Sequence, residues 1–194
     1  MALSRRLAGC ALAALLATLV TACSDPEAEA LAARRAELDA ARSDGTDASG
    51  RLHLARDAVS EHGDDPALLL VGAEALLELR RFEEAADWAD RGLAGAGEDE
   101  DLTADLNWAR GSAHFGVFGE LQEADAWRSA NSDLERATRA GRHRADAAYL
   151  LTRMQGLGGH GSDARREKFG RFFLQLEGQG KRADAVRELL EAGG

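Results

Sequence analysis

Residues 82–88 read Phe-Glu-Glu-Ala-Ala-Asp-Trp, and residues 121–127 read Leu-Gln-Glu-Ala-Asp-Ala-Trp. The two stretches lie 39 residues apart and share a large apolar residue at the first position, an alanine at the fourth and a tryptophan at the seventh. The same offset relates Leu69 to Trp108. Self-similarity at a period of about 20–50 residues is typical of proteins built from stacked structural repeats. The sequence therefore predicts a repeat architecture.

The chain after the first 23 residues has the composition of an all-α protein. Alanine, leucine, arginine and glutamate, which favour helices, dominate, whereas valine, isoleucine and tyrosine, which favour strands, are scarce. Both prolines follow an aspartate, at Asp25-Pro26 and Asp65-Pro66, which is the order expected of an N-cap and a first helical residue. Glycines recur where helices would end. These signals predict helices at 26–43, 48–62, 66–79, 81–94, 100–117, 120–140, 144–156, 162–177 and 181–192.

Three groups of residues resemble the tetratricopeptide repeat, in which paired helices A and B carry large and small residues in a fixed order. The first group is Leu69, Ala73, Leu76, Phe82, Ala85, Ala89 and Gly92. The second is Trp108, Ser112, Phe115, Gly119, Leu121 and Ala124. The third is Phe169, Phe173, Leu176, Gly180, Ala185, Leu189 and Ala192. The resemblance implies a solenoid of helical hairpins, because small residues let helices approach while large ones fill the space between pairs.

Two departures from the family pattern leave another all-helical bundle open as an alternative. The offsets between the copies, 39 and 61 residues, exceed the roughly 34 residues of the family. In addition, Arg182 stands where the third copy calls for an aromatic residue. The resemblance covers residues 48–192, and 26–62 could form an atypical first pair.

The first 22 residues have the order of a secretory signal peptide. Arg5 and Arg6 form a positive region, and an uncharged apolar stretch follows. That stretch ends in Val20-Thr21-Ala22-Cys23, which resembles the lipobox of bacterial lipoproteins, whose cysteine becomes the lipidated first residue of the mature protein. The predicted organisation is a lipoprotein signal peptide at 1–22, a lipidated N-terminus with a short tether at 23–30 and a helical domain at 31–194.

Other interpretations of the leader are an ordinary secretory signal that leaves Cys23 as a free thiol, a twin-arginine signal and a retained transmembrane helix. The apolar stretch of about fourteen residues is short for a membrane span, which needs ~20. An aspartate directly after the cysteine resembles an inner-membrane retention signal, and Ser24 stands there instead. The lipoprotein resemblance therefore implies a lipid anchor in the outer membrane, with the domain facing the periplasm.

Charge is distributed unevenly along the chain. Residues 23–135 contain 27 acidic and 10 basic side chains, whereas residues 136–194 contain 7 acidic and 12 basic ones. Complementary solvated faces within one domain would explain this difference. A basic C-terminal surface for an acidic partner or for anionic head groups is the other interpretation, since such fields steer association.

The sequence carries none of the common catalytic or metal-binding motifs. The five histidines lack metal-ligand spacing, and lipidation of Cys23 would leave no thiolate in the mature chain. There is no P-loop and no Gly-x-Ser-x-Gly nucleophile elbow. We therefore expect a protein that is not an enzyme, binds no nucleic acid and carries no cofactor or metal besides the lipid on Cys23.

The resemblance to tetratricopeptide proteins also implies a binding surface. In that family the A helices line a concave groove that holds segments of other proteins. The residues that this implies as a candidate peptide groove are Leu70, Glu74, Leu77 and Glu78 from one copy and Ala109, Arg110, Ala113 and Val117 from the next. We expect the groove to take an apolar or basic peptide.

The predicted function is that of a membrane-anchored interaction scaffold in the bacterial cell envelope, with other envelope proteins or peptides as partners. Assembly of outer-membrane proteins, secretion and pilus biogenesis are roles of this type. An accessory solute- or substrate-binding lipoprotein and a structural spacer without a dedicated ligand are the alternatives. The sequence leaves the oligomeric state open.

Overall fold

The computed structural model describes residues 25–157 and 160–192, and within these ranges it contains nine α-helices and no strand. The all-α class predicted from the sequence is confirmed. The helices are α1 (Pro26–Ser43), α2 (Ala48–His62), α3 (Pro66–Glu78), α4 (Phe82–Gly95), α5 (Glu100–Leu121), α6 (Ala124–Ala137), α7 (Arg144–Gln155), α8 (Asp163–Leu176) and α9 (Lys181–Glu191).

Aspartate caps start four of the helices, as the sequence predicted for two of them. The Asp25 carboxylate accepts a hydrogen bond from the backbone of α1, and Asp65 accepts two from α3, each with a proline at the first helical position. Asp47 and Asp99 cap α2 and α5 in the same way. Each such cap stabilises a helix by about 1 kcal/mol because it satisfies N–H groups that have no partner within the helix.

The boundary between α5 and α6 differs from the prediction. The sequence placed a helix end at residue 117 and a stop at Gly119, but α5 continues to Leu121 and ends at Gln122, whose φ is +58°. Gly119 is exposed and nothing lies near its missing Cβ, so the helix tolerates it at a cost of about 1 kcal/mol. The next helix consequently begins at Ala124 rather than at residue 120, and it ends at Ala137.

The helices form two layers, one of odd-numbered and one of even-numbered helices. Each helix packs against the next, and α1, α3, α5 and α7 also pack against the next odd-numbered helix. Among the described residues the even-numbered helices have no such contact with one another. The odd-numbered helices are therefore the closer-packed layer, and the even-numbered ones are spread along their outside.

Helix α3 lies at the centre of the first half of the fold. Residues 68–76 are all buried, and they contribute to clusters shared with α1 and α2, with α4, and with α5. A second series of clusters joins α6, α7 and α8, and then α7, α8 and α9. Each hairpin thus completes the core of its neighbour, as expected of a chain of stacked units.

Glycines within helices allow close crossings with large side chains. A Cβ on Gly72 of α3 would lie 2.0 Å from the Trp88 ring of α4, and one on Gly116 of α5 would lie 2.4 Å from the Phe82 ring. The two aromatic residues belong to the repeated stretch that begins at residue 82. At both crossings the ring occupies the space that a side chain on the facing helix would fill. In the second copy of the pattern, Leu121 is instead exposed at the end of α5.

The third copy of the pattern is placed differently from the first two. Leu69 and Trp108 lie on the odd-numbered helices α3 and α5, whereas Phe169 lies on the even-numbered helix α8. Because the additional helix α7 lies between the second and third copies, the third copy begins on an even-numbered helix. The third copy is therefore the hairpin α8–α9 and does not have the same place in the two layers.

The N-terminal organisation is described only in part. None of the helices in the described part of the chain is both long enough and apolar enough to cross a membrane. The predicted signal peptide at 1–22 and the predicted lipidation site Cys23 lie outside the described residues. Residues 26–30, which the sequence assigned to a tether, belong to α1.

We predict that Gly72→Ala destabilises the protein by about 1–3 kcal/mol, because the added methyl group displaces the Trp88 ring. Gly119→Ala is the matched control on an exposed helical position with open space. It should raise the free energy of unfolding by up to about 1 kcal/mol through helix propensity alone. Urea unfolding followed by circular dichroism measures both. Equal effects of the two substitutions would contradict the proposed crossing.

Candidate functional site

Three odd-numbered helices and the start of α4 line an open pocket of about 410 Å³. Most of its surface is apolar, and three of its side chains are aromatic. Its lining residues, which we call the inner pocket, are Glu74, Leu77, Glu78, Phe82, Trp108, Ser112, Phe115, His143 and Leu150. A concave, largely apolar site with a few convergent polar groups is typical of a ligand-binding surface.

Helical spacing explains how these side chains come to share one surface. On α3, Leu77 and Glu78 follow Glu74 by three and four residues, so the three side chains lie on one face. On α5, Ser112 and Phe115 follow Trp108 by four and seven residues, which also repeats one face. The pocket therefore forms where these two faces meet the start and middle of α7.

The Glu74 carboxylate is the most heavily paired acidic group in the pocket wall. The side chain is buried, yet it contacts three cationic side chains from two distant parts of the chain. Arg42 of α1 donates from Nε at 2.8 Å, Arg142 donates from Nη2 at 2.6 Å, and Nε2 of His143 lies 3.1 Å from Oε1. Burial opposes ionisation, but the His143 hydrogen bond and the arginine charges outweigh it and lower the pKa of Glu74.

The imidazole of His143 lies between two carboxylates and against an indole ring. Its Nδ1 is 2.9 Å from Asp146, and its ring stacks on Trp108 with centroids 3.7 Å apart and planes 6° apart. Burial favours the neutral ring, but the hydrogen bonds to Asp146 and Glu74 outweigh it and raise the pKa of His143. Asp146 is also paired with Arg182 of α9, at 2.9 Å.

The turn that carries Arg142 and His143 is fastened to the start of α5. The backbone N–H of His143 donates to Asp105 at 3.1 Å, and that of Gly141 donates to Asp101 at 2.9 Å. Gly141 has a φ of +75° and lies so close to Asp105 that a Cβ would be 2.4 Å from its Oδ1. Burial raises the pKa of the Asp105 carboxyl group, and it outweighs the hydrogen bond from the His143 backbone and the charges of His143 and Arg142.

The charged side chains of the pocket wall are paired with other charged side chains of the protein. The two lining carboxylates, Glu74 and Glu78, are each within ion-pair distance of at least one arginine or histidine, and so are Asp105 and Asp146 of the adjoining cluster. What remains open to a ligand is chiefly the apolar and aromatic part. Within the described ranges, no group of three histidine, cysteine, aspartate or glutamate side chains is arranged to hold a metal ion. The arrangement suits binding of an apolar group.

The residues that the sequence assigned to the groove on α3 lie on this surface. Glu74, Leu77 and Glu78 line the inner pocket, and Glu78 also pairs with Arg51 of α2. Leu70 is buried and lies in the adjoining cleft between α1, α3 and α5. The structure thus brings three of the four α3 residues into one site and places the fourth beside it.

The residues assigned to the groove on α5 are not on the same face. Ala109 and Ala113 are fully buried against α3, where their small side chains let the two helices approach. The pocket is instead formed by Trp108, Ser112 and Phe115. The predicted face differs from the observed one by about one residue around the helix.

Arg110 and Val117 also lie away from the inner pocket. The Arg110 guanidinium makes two hydrogen bonds of 2.8 Å to Asp133 of α6 and another to Asp90 of α4. Val117 lines a separate shallow pocket at the junction of α3 and α4. Arg110 therefore joins α5 to the even-numbered layer.

Sequence reasoning missed the partners of Glu74. Arg142 and His143 follow Glu74 by 68 and 69 residues, and no local pattern in the sequence relates them to it. One signal could have indicated the cluster: Glu74 is the only charged residue in the apolar stretch 66–77. Because a charge at a buried position requires compensation, cationic partners from elsewhere were to be expected.

No protein-family model, no curated protein and no solved structure matches the chain.

We predict that Glu74→Gln lowers the free energy of unfolding by about 3 kcal/mol, because it leaves Arg42 and Arg142 without their carboxylate. Glu120→Gln is the control, because Glu120 is exposed and lies 3.4 Å from an exposed Arg80. It should change stability by less than about 0.5 kcal/mol. Chemical denaturation at pH 6 measures both effects. A loss of under about 1 kcal/mol for Glu74→Gln would show that the cluster contributes little to stability.

Proposed function

We propose that this chain is a lipid-anchored protein of the bacterial cell envelope that binds a segment of a partner protein through the inner pocket. The observation that carries the proposal is the placement of an open, aromatic-lined pocket on the closely packed layer of odd-numbered helices. A helical repeat protein offers such a face for binding extended surfaces of its partners.

The chemistry of the pocket favours an apolar segment as the occupant. The carboxylates of its wall are engaged by arginine and histidine, so an additional charged group would gain little there. In contrast, Trp108, Phe115 and Leu150 are only half-buried and form one continuous surface. Binding is favourable when an apolar side chain of the partner removes such a surface from water.

The alternation of helix contacts supports a tetratricopeptide-like solenoid as the scaffold. In a stack of helical hairpins, the first helix of each pair packs against the first helix of the next, as α1, α3, α5 and α7 do in succession. The first copy of the pattern runs from Leu69 on α3 to Gly92 on α4, and the second runs from Trp108 on α5 to Ala124 on α6. The hairpin α8–α9 is the part that departs from the family pattern.

The lipobox-like stretch supports the anchor. If Cys23 is the lipidated residue, two residues separate it from the start of α1 at Pro26. Extended backbone spans at most about 3.5 Å per residue, so the helical domain would begin within roughly 10 Å of the lipid. Such a protein would meet its partners at a membrane surface, as expected of a scaffold for assembly, secretion or pilus biogenesis.

A second candidate function is binding of a small apolar solute. The observation that favours it is the size of the inner pocket, about 410 Å³, which falls in the range of small-molecule sites, together with its three aromatic side chains. The two candidates differ in what occupies the pocket in the cell, which crosslinking distinguishes.

We predict that Cys23→Ala moves the protein from the membrane fraction to the soluble fraction, because two or more acyl chains are what makes such anchoring stable. Cell fractionation followed by immunoblotting measures the distribution. Ser24→Ala, which keeps the cysteine, should leave the protein in the membrane fraction. Retention of Cys23→Ala in the membrane would contradict the anchor.

A photo-crosslinking amino acid placed at Phe115, in the inner pocket, should capture a discrete partner protein in intact cells. The matched control is Leu176, an exposed apolar residue at the end of α8. We expect an adduct at position 115 and none at position 176. Identical adducts at both positions would argue against a specific surface. A small-molecule adduct alone at position 115 would favour the solute-binding alternative.

A further inference from the structure

The Nε2 atom of His143 lies at equal distance from a hydrogen-bond donor and an acceptor. Arg142 Nε, which can only donate, is 3.1 Å away, and Glu74 Oε1, which accepts when ionised, is also 3.1 Å away. The other ring nitrogen, Nδ1, lies 2.9 Å from Asp146 in either case. The partner of Nε2 is therefore decided by a single proton.

The two protonation states of the ring make different contacts. In the neutral ring, Nδ1–H donates to Asp146, and Nε2 accepts from Arg142. In the imidazolium, Nε2–H donates to Glu74, and no lone pair is left for Arg142. Protonation thus replaces a contact within the α6–α7 turn by a contact to α3, 69 residues away in the sequence.

Charged groups from each packed element surround the ring. Arg142 opposes protonation, and so does the dipole of α7, because His143 is the N-cap residue of that helix. Three carboxylates favour protonation, although arginines of α1 and α9 offset part of their charge. The groups concerned are Glu74 of α3, Asp105 of α5 and Asp146 of α7, with Arg42 on Glu74 and Arg182 on Asp146. The balance favours the imidazolium, in agreement with the raised pKa of His143.

The same ring forms part of the inner pocket. His143 and Glu74 both line it, and the imidazole stacks on Trp108, which forms another part of the wall. We infer that the proton on His143 controls the inner pocket: protonation adds a second link between the α6–α7 turn and α3, beside the Arg142–Glu74 ion pair, and orders the wall, and deprotonation removes that second link and loosens the wall. This inference rests on the proposed function only in treating the pocket as a binding site.

The sign of the pH dependence follows from the direction of the shift. A histidine whose pKa is raised on folding stabilises the folded protein fully below its ordinary value of 6.5. That stabilisation is lost as the pH rises through the raised value. The ordered form of the pocket is therefore the form at mildly acidic pH, and loosening is expected as the pH rises above 6.5.

Titration of the full-length protein in detergent tests the switch. Tryptophan fluorescence should change as the pH rises, with a midpoint above 6.5, because the stacked ring loses its charge beside Trp108. The change should be lost in His143→Gln. It should persist in His160→Gln, the control for the histidine near Trp127. The inference would be wrong if His143→Gln showed the same pH-dependent change in tryptophan fluorescence as the unmodified protein. It would also be wrong if the midpoint of that change lay at or below pH 6.5.

Histidine-selective NMR of the unmodified sequence gives the same midpoint without a variant, so a folding defect in His143→Gln cannot hide the answer. Binding is then measured with Nile red, a neutral apolar dye, at pH 6 and at pH 9. We expect weaker binding at pH 9, and no difference between the two pH values in His143→Gln. If His143 titrates with a midpoint above 6.5 but the dye binds equally at both pH values, the claim that the His143 proton controls the pocket would be overturned. Absence of dye binding at either pH would instead contradict the apolar pocket of the proposed function.

Discussion

The buried carboxylate of Glu74 is the constraint on which the functional surface depends. It lies in α3, where residues 68–76 are all buried and an unpaired charge would cost several kcal/mol. Its cations come from Arg42 on α1 and from the turn before α7, so a single carboxylate joins helices that are distant in sequence. Because the same turn positions His143 against Trp108, satisfying Glu74 also shapes the wall of the inner pocket.

Packing and electrostatics have separate roles in this architecture. Small residues at helix crossings, such as Gly72 beneath Trp88, allow hairpins to stack and bury a continuous core. The charged side chains of the odd-numbered layer then neutralise one another in ion pairs. This leaves Phe115 and Leu150 as the open part of the pocket. An apolar binding surface with a charged but self-compensated wall follows from this division, and the proposed binding of an apolar partner segment follows from that surface.

The sequence predicted most helix ends to within a residue because aspartate caps, prolines and glycines act locally. It missed the end of α5, because whether a helix continues through Gly119 depends on the space around it rather than on the residue. Three of the residues that the family resemblance assigned to a groove on α3 line the inner pocket. The face of α5 was wrong by one position, since which of Trp108 and Ala109 turns inward is decided by tertiary packing. The contact of His143 with Glu74 spans 69 residues, which local patterns do not encode.

The coupling between Glu74 and Arg42 tests the central claim most directly. A double-mutant cycle would compare the unfolding free energies of the wild type, Glu74→Gln, Arg42→Gln and the double variant in urea at pH 6. If the carboxylate joins α1 to α3 as the structure indicates, the double variant should be at least about 1 kcal/mol more stable than the sum of the single effects predicts. Effects that add to within about 0.3 kcal/mol would mean that the cluster does not hold these helices together.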